Sequence, residues 1–288
     1  MNTKGRFYSQ ILKLVIPIIV QNLLSAAVNS ADVVMLNYVG QSSISAVSLA
    51  SNYASVLFMV FYGLGTGATI LSAQYWGKKD LRAIQVIEGI ALRFSLLIAL
   101  AFSAFALFAP DKMMQIFTTD AELIQIGADY LRVMSITYLC WAIVEVYLSI
   151  LRSIGMVTTS MVLNIIAFSL NVFLNAVFIF GLFGAPRLGA TGVAIATAIS
   201  RIIELIGCLL VSMFGSELKL NPAYLFIRNK VLLKDFIHLS LPALANDISW
   251  SVAFSMYSVI LGHLGTDAVA HNTLVVEVRN FGTVLCYG

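Results

Sequence analysis

Asp32 is a carboxylate set deep inside an apolar run, LKLVIPIIVQNLLSAAVNSADVVMLNYVG, residues 12–40. Asn22, Ser25, Asn29 and Asp32 are spaced 3, 4 and 3 apart, so on a helix they make one polar stripe along an otherwise apolar cylinder. A charge at that depth in hydrocarbon costs about 3 kcal/mol or more, so such residues face a bundle interior or a hydrated cavity. Two readings fit the stripe: a hydrogen-bonded contact between helices, or an ion or substrate site. On the second, Asp32 and Asn29 are the candidate ligands.

A second stripe consists of Asn164, Asn171 and Asn175, spaced 7 and 4 and therefore on one helical face. The asparagines either glue helices together, at about 0.6 kcal/mol per bond, or line the same hydrated pocket as Asp32. Tyr138, Trp141 and Glu145 share another face, and Glu145 stands about two turns from Arg152, close enough to pair with it. Arg201 and Glu204, at i and i+3, are expected to pair with each other. Secondary candidates are Glu145, Asp247 beside Trp250, and Glu277 with Arg279, where Arg279 can neutralise Asp247 or Glu277.

Other chemistries lack their parts. His238, His263 and His271 have no Ser and Asp partners in a hydrolytic pattern, so no enzyme is expected. Cys140, Cys208 and Cys286 sit in apolar runs without CxxC spacing, which implies neither disulfide nor metal site. The glycine-rich YGLGTGATI at 62–70 has no strand before it, so it is no phosphate cradle; Gly63 and Gly67 instead satisfy small-xxx-small packing or allow a bend. No cofactor is expected.

These residues need elements to position them. The chain has 288 residues, 60% of them hydrophobic and 11% charged, with mean hydropathy +0.93, against the charged fraction of about 25% of soluble domains. Apolar segments long enough to cross a hydrocarbon core run over 12–38, 46–75, 84–109, 121–150, 157–183, 188–213 and 234–262, and an eighth begins near 268. The first is too long for a signal-peptide core and is kept as a span. None alternates polar and apolar residues as barrel strands do, so the fold class is all-α, a polytopic transmembrane helix bundle.

The net charge of +3 does not point to nucleic acid, because the basic residues sit in short loops between spans. Lys4, Arg6, Lys13, Lys78, Lys79, Arg82, Arg152, Lys219, Arg228, Lys230 and Lys234 lie on one side and Lys112 and Arg187 on the other, eleven against two. The positive-inside rule then places the N-terminus in the cytoplasm of a multi-pass cell-membrane protein, with Asp32 in the outer half of the bilayer.

Shifting the chain by 225 residues lays IPIIVQNLLSAAVNSADVVMLNYVG on LPALANDISWSVAFSMYSVILGHLG, with Pro17 on Pro242, Gly40 on Gly265 and Tyr62-Gly63 on Tyr287-Gly288. Span 7 therefore opens a second copy of span 1. A repeat of six spans keeps both copies in one orientation, related by an axis along the membrane normal. The expected organisation is a complete six-helix first lobe at 1–213, a basic cytoplasmic linker at 214–234 and a partial second lobe at 235–288, whose missing part is expected to be supplied elsewhere.

The sequence resembles the multidrug and toxic compound extrusion (MATE) family over essentially its whole length, through SADVVMLNYVG, AQYWGKKD, LRSIGMVTTSM, LNVFLNAVFIFGLFG, LGATGVAIATAIS and LGTDAVAHNT. The resemblance implies two six-helix lobes, alternating access, and export of small organic cations driven by H+ or Na+. By the same resemblance, Asp32 matches the span 1 acid that binds the coupling ion, and Asn171 matches a polar partner of it. Asn175 stands where related chains often carry another Asp, and Trp250 where many carry a second-lobe acid, with Asp247 one turn earlier. These departures move the expected coupling site to the first lobe. A flippase for lipid-linked oligosaccharide or peptidoglycan precursors is the alternative from the wider superfamily, although the first-lobe candidates include no basic cluster to meet a pyrophosphate. An inactive fragment or an assembly partner is the alternative outside transport.

The charge asymmetry is open to direct test. A single cysteine at Gln41 should react with an impermeant maleimide from outside intact cells, and one at Lys79 only after permeabilisation; external labelling at Lys79 would reverse the topology.

Overall fold

The computed structural model describes residues 3–215 and 218–283, with side chains from Val15 to Arg279 except at 29, 33, 216, 217, 266 and 277. Among the described residues the regular structure is helical throughout: α1 (Thr3–Asn37), α2 (Gln41–Gly77), α3 (Leu81–Phe108), α4 (Pro110–Phe117), α5 (Ala121–Ser153), α6 (Val157–Phe180), α7 (Gly189–Leu210), α8 (Lys230–Leu264) and α9 (Thr266–Thr283). Apart from α4, these are the eight expected spans. Six of them, over Val15–Asn37, Gln41–Gly77, Leu81–Phe108, Ala121–Ser153, Val157–Phe180 and Gly189–Gly215, are long and apolar enough to cross a membrane. The chain is thus an all-α polytopic bundle. The spans expected at 234–262 and from 268 are helical but fall outside that set; in α8 the reason is the polar run Asn246, Asp247, Ser249 and Ser251.

Polar side chains punctuate the helices where the sequence leaves backbone donors open. Asp80 accepts from Ala83 N at 3.0 Å to begin α3, Asp120 from Glu122 N at 2.9 Å to begin α5, and Asn229 from Val231 N and Leu232 N at 3.1 Å to begin α8. The sequence reading passed over α4. Pro110 opens it, Asp111 in its first turn pairs with Arg132 at 3.2 Å, and buried Met114 packs on Gly127 of α5.

Two apolar cores fill the bundle. One, toward the Gly40 end, gathers Leu49, Leu57, Phe61, Met114, Leu131 and Tyr138; the other, toward the basic turns, gathers Ile84, Ile87, Tyr147, Leu151, Cys208 and Phe236. The segment expected as a linker at 214–234 belongs to this second core. Leu218 is fully buried, the Tyr147 hydroxyl donates to its carbonyl at 3.4 Å, and Arg93 donates to the Ile227 carbonyl at 3.1 Å. The segment also contains a short 3-10 helix, Pro222–Phe226, and the first turn of α8.

The glycines of α2 are explained by α8. A Cβ on Gly63 would stand 2.9 Å from Leu244 Cα, and one on Gly67 would overlap Ser240, so the small-xxx-small spacing serves close helix packing. Gly40 and Gly265, equivalent under the 225-residue shift, share an unusual backbone, φ 138 ψ 160 and φ 121 ψ 166, that L side chains rarely adopt. α1 and α8 are both 35 residues long with one internal proline, Pro17 and Pro242. Thr273 Oγ1 lies 2.8 Å from Ser48 Oγ, its own counterpart 225 residues earlier, and two residues can meet their equivalents only beside the axis that relates the copies. Gln41 Nε2 donates to Asp267 Oδ1 at 2.5 Å and Ser258 Oγ to Asn52 Oδ1 at 3.0 Å, so three polar contacts tie α2 to α8 and α9 at this end.

Gly67→Val should destabilise the folded chain by about 1–3 kcal/mol through overpacking against α8, seen as a lowered thermal unfolding midpoint in detergent. Gly77→Ala, where an added Cβ meets nothing within 4 Å, should leave the midpoint unchanged or raised; equal losses for both would mean that α8 does not pack here.

Candidate functional site

The polar stripes of α1 and α6 meet. Asn175 Nδ2 donates to Asp32 Oδ1 at 2.5 Å and also to Asn171 Oδ1 at 3.2 Å; Asn171 Nδ2 donates to Thr197 Oγ1 of α7 at 3.1 Å, and Thr197 in turn bonds the Val193 carbonyl at 2.9 Å. Three helices are thereby joined by one continuous network. Asn175 is fully buried and its Oδ1 has no hydrogen-bond partner among the described residues, while Asp32 is half-buried. A buried acceptor beside a carboxylate is suited to a proton, a water or a hard cation bound through oxygen. Among the described residues no three His, Cys, Asp or Glu side chains gather as a metal centre.

Tyr130 of α5 completes the surroundings: its hydroxyl bonds Ser51 and it stands within electrostatic reach of Asp32. Neither Tyr130 nor Thr197 was singled out from sequence. Thr197 had a legible signal, since it lies 4 and 7 residues before Arg201 and Glu204 on one face of α7. Tyr130 had none, because its approach to Asp32 depends on how α5 packs.

The structure does not bring Asn164 into this network. Its Nδ2 donates to the Ser160 carbonyl of its own helix at 2.9 Å, and it lies seven residues, about 10 Å along α6, from Asn171. Ser160 instead meets Arg152 Nη1 at 3.4 Å, and Arg152 Nη2 pairs with Glu145 at 3.0 Å and Ser149 Oγ at 2.9 Å. Arg201 pairs with Glu204 at 2.7 Å and lies over the Trp141 ring, 5.1 Å from its centroid. Glu145 and Arg152 are within electrostatic reach of Glu204, so the four charges form one cluster between the Asp32 network and the basic end.

Of the secondary candidates, Glu145 belongs to the charged cluster. Asp247 accepts from its neighbour Asn246 at 3.3 Å, and Arg279 sits over the Phe254 ring at 4.8 Å, where Phe254 stacks on Trp250. The side chains of Asn29 and Glu277 lie outside the described residues.

Comparison with known proteins adds a family and a fold. The sequence profile of the MatE family matches residues 17–177, more than half of the chain. The uncharacterized transporter YisQ of Bacillus subtilis is 25% identical over 276 residues, 94% of this chain and 61% of that protein. A probable multidrug resistance protein NorM of Thermotoga maritima is 24% identical over 280 residues, 97% of this chain and 60% of that one. A solved MOP superfamily transporter from Pyrococcus furiosus superposes with a TM-score of 0.81 at 24% identity, covering 96% of this chain and 61% of that one. The chain thus spans about three fifths of the length of the relatives it matches.

Removing a member of the network should cost more than removing a residue outside it. Asn175→Ala deletes the donor to Asp32 and should lower stability by about 1–3 kcal/mol, the penalty for a buried polar group left without its partner, whereas Asn164→Ala should cost about 0.6 kcal/mol. Thermal unfolding in detergent distinguishes them, and a larger loss at Asn164 would contradict the assignment.

Proposed function

The chain belongs to the MATE family, whose members are transporters and not enzymes, and from that premise we propose that it supplies the ion-coupling lobe of an H+- or Na+-driven antiporter that exports small organic cations by alternating access. The observation that carries this reading is the Asp32–Asn175–Asn171–Thr197 network, a half-buried carboxylate bonded across three helices. In this reading residues 1–213 form the first lobe, 214–234 the connection and 235–288 the start of the second lobe. The N-terminus faces the cytoplasm, as the eleven-to-two charge asymmetry argues.

The work cycle follows from the chemistry of Asp32. As a carboxylate it attracts a cationic cargo or holds Na+; when it takes up a proton its charge vanishes, the cation is released, and the amide of Asn175 loses its ionic acceptor. α1 and α6 then have a reason to repack. Coupling requires that ion and cargo bind the two arrangements with different affinity, and a carboxylate that changes charge supplies that difference. The α2 contacts to α8 and α9 at the Gly40 end lie beside the axis relating the copies, where opening and closing of the lobes would make or break them.

Asp32→Asn in the transporter at the full length of its relatives should abolish efflux of an organic cation while leaving expression and unfolding midpoint unchanged. Asn175→Asp should keep transport but move its pH dependence upward, because two carboxylates within hydrogen-bond distance cannot readily both be ionised. Wild-type efflux with unchanged pH and Na+ dependence in Asp32→Asn would remove the first-lobe mechanism.

A further inference from the structure

The second charged group of the lobe has no part in the network around Asp32. Glu204 is buried, with its side chain fully covered, yet only one carboxylate oxygen is bonded: Oε2 to Arg201 at 2.7 Å, while Oε1 has no hydrogen-bond partner among the described residues. A carboxylate oxygen left unbonded in an apolar interior is costly, and protonation or a water removes that cost. The charged and titratable groups facing it are few. α5 contributes Glu145 and Arg152, and α7 contributes Arg201 and Cys208. α6 and α2 contain no charged residue at all.

Placement makes this group consequential. Glu204 lies seven residues beyond Thr197 on the same face of α7, about 10 Å farther toward the basic end. Thr197 is the last side chain of the network that begins at Asp32. The partner of Glu204, Arg201, lies over Trp141, and Trp141 stacks on Phe58 at 5.4 Å and meets Phe61 edge-on at 6.1 Å. Both phenylalanines belong to α2, the helix packed against α8 through Gly63 and Gly67. Glu204 therefore stands between the coupling network and the helix that joins the first lobe to α8.

We propose that Glu204, paired with Arg201, is a second proton-binding site of the lobe, in series with Asp32, whose charge state sets the position of Trp141 against α2. The proposal rests on the reading that this lobe couples transport to an ion. The step balances simply: a proton adds to the Glu204 carboxylate to give a carboxylic acid, Arg201 loses its counter-ion, and the four-charge cluster goes from neutral to net positive. Arg201 is then held by Trp141 alone or moves toward Glu145, and either change alters the contact that Trp141 makes with α2.

The test uses the transporter with Trp141 as its sole tryptophan, the others replaced by phenylalanine. Trp141 emission should shift as pH falls; the shift should be lost in Glu204→Gln and kept in Asp32→Asn. Because Glu204→Gln leaves Arg201 unpaired and could fail to fold, the charge-neutral pair Arg201→Gln with Glu204→Gln is measured alongside it, and should fold, give no shift and flatten the pH profile of efflux. A pH-independent emission in the parent, a shift that persists in either Glu204 variant, or an efflux pH profile in the neutral pair that matches the parent each overturns the proposal. Unimpaired efflux in Asp32→Asn, with the emission shift lost in both Glu204 variants, would overturn the first-lobe mechanism around Asp32 while leaving the second proton site standing.

Discussion

The bond between Asp32 and Asn175 is the constraint on which the arrangement of α1, α6 and α7 depends. Lipid offers a carboxylate nothing, and the backbone of α1 is already satisfied within its own helix, so the side chain must find its donor on another element. It finds the amide of Asn175, which spends its second hydrogen on Asn171, which reaches Thr197. α1, α6 and α7 are thus held in one azimuthal register by polar atoms, while the surrounding apolar contacts tolerate many rotations. An amide as the partner, in place of a guanidinium, leaves the acid free to change charge without stranding a buried cation.

The charged cluster nearer the basic end solves the same problem differently. Glu145 with Arg152 and Glu204 with Arg201 bring equal numbers of opposite charges into the interior, so the pairs cancel. Such pairs contribute little net stability, since desolvation offsets much of their attraction, but deleting one member leaves an uncompensated charge. Each pair lies within one helix, and α5 and α7 meet here where Arg201 lies over the Trp141 ring.

A third constraint is steric. Gly63 and Gly67 remove the side chains that would separate α2 from α8, and the matched backbone at Gly40 and Gly265 starts α2 and α9 in the same way. Close backbone approach permits a broad, side-chain-poor contact, which can slide or hinge at less cost than interdigitated large residues. The polar contacts Gln41–Asp267, Ser48–Thr273 and Asn52–Ser258 then fix its Gly40 end.

Much of this was legible before any coordinates. Apolar length decides that the chain is a membrane bundle, helical spacing decides that Asn22, Ser25 and Asp32 share a face, and the i, i+3 rule is enough to pair Arg201 with Glu204. The 225-residue register of Pro17, Gly40 and their counterparts is likewise a property of the string. Tertiary structure alone decided which stripes meet. Asn164 and Asn175 lie on one face of one helix, yet only Asn175 reaches Asp32, because α1 crosses α6 at a height that periodicity does not encode. Tyr130 and Thr197 enter the site from α5 and α7 for the same reason. The linker at 214–234 reads as a polar connection, but Leu218 and the carbonyl of Ile227 are drawn into the core by Tyr147 and Arg93, residues more than sixty positions away. Period and composition act along one helix and determine its faces; which faces touch is fixed by packing among all of them at once.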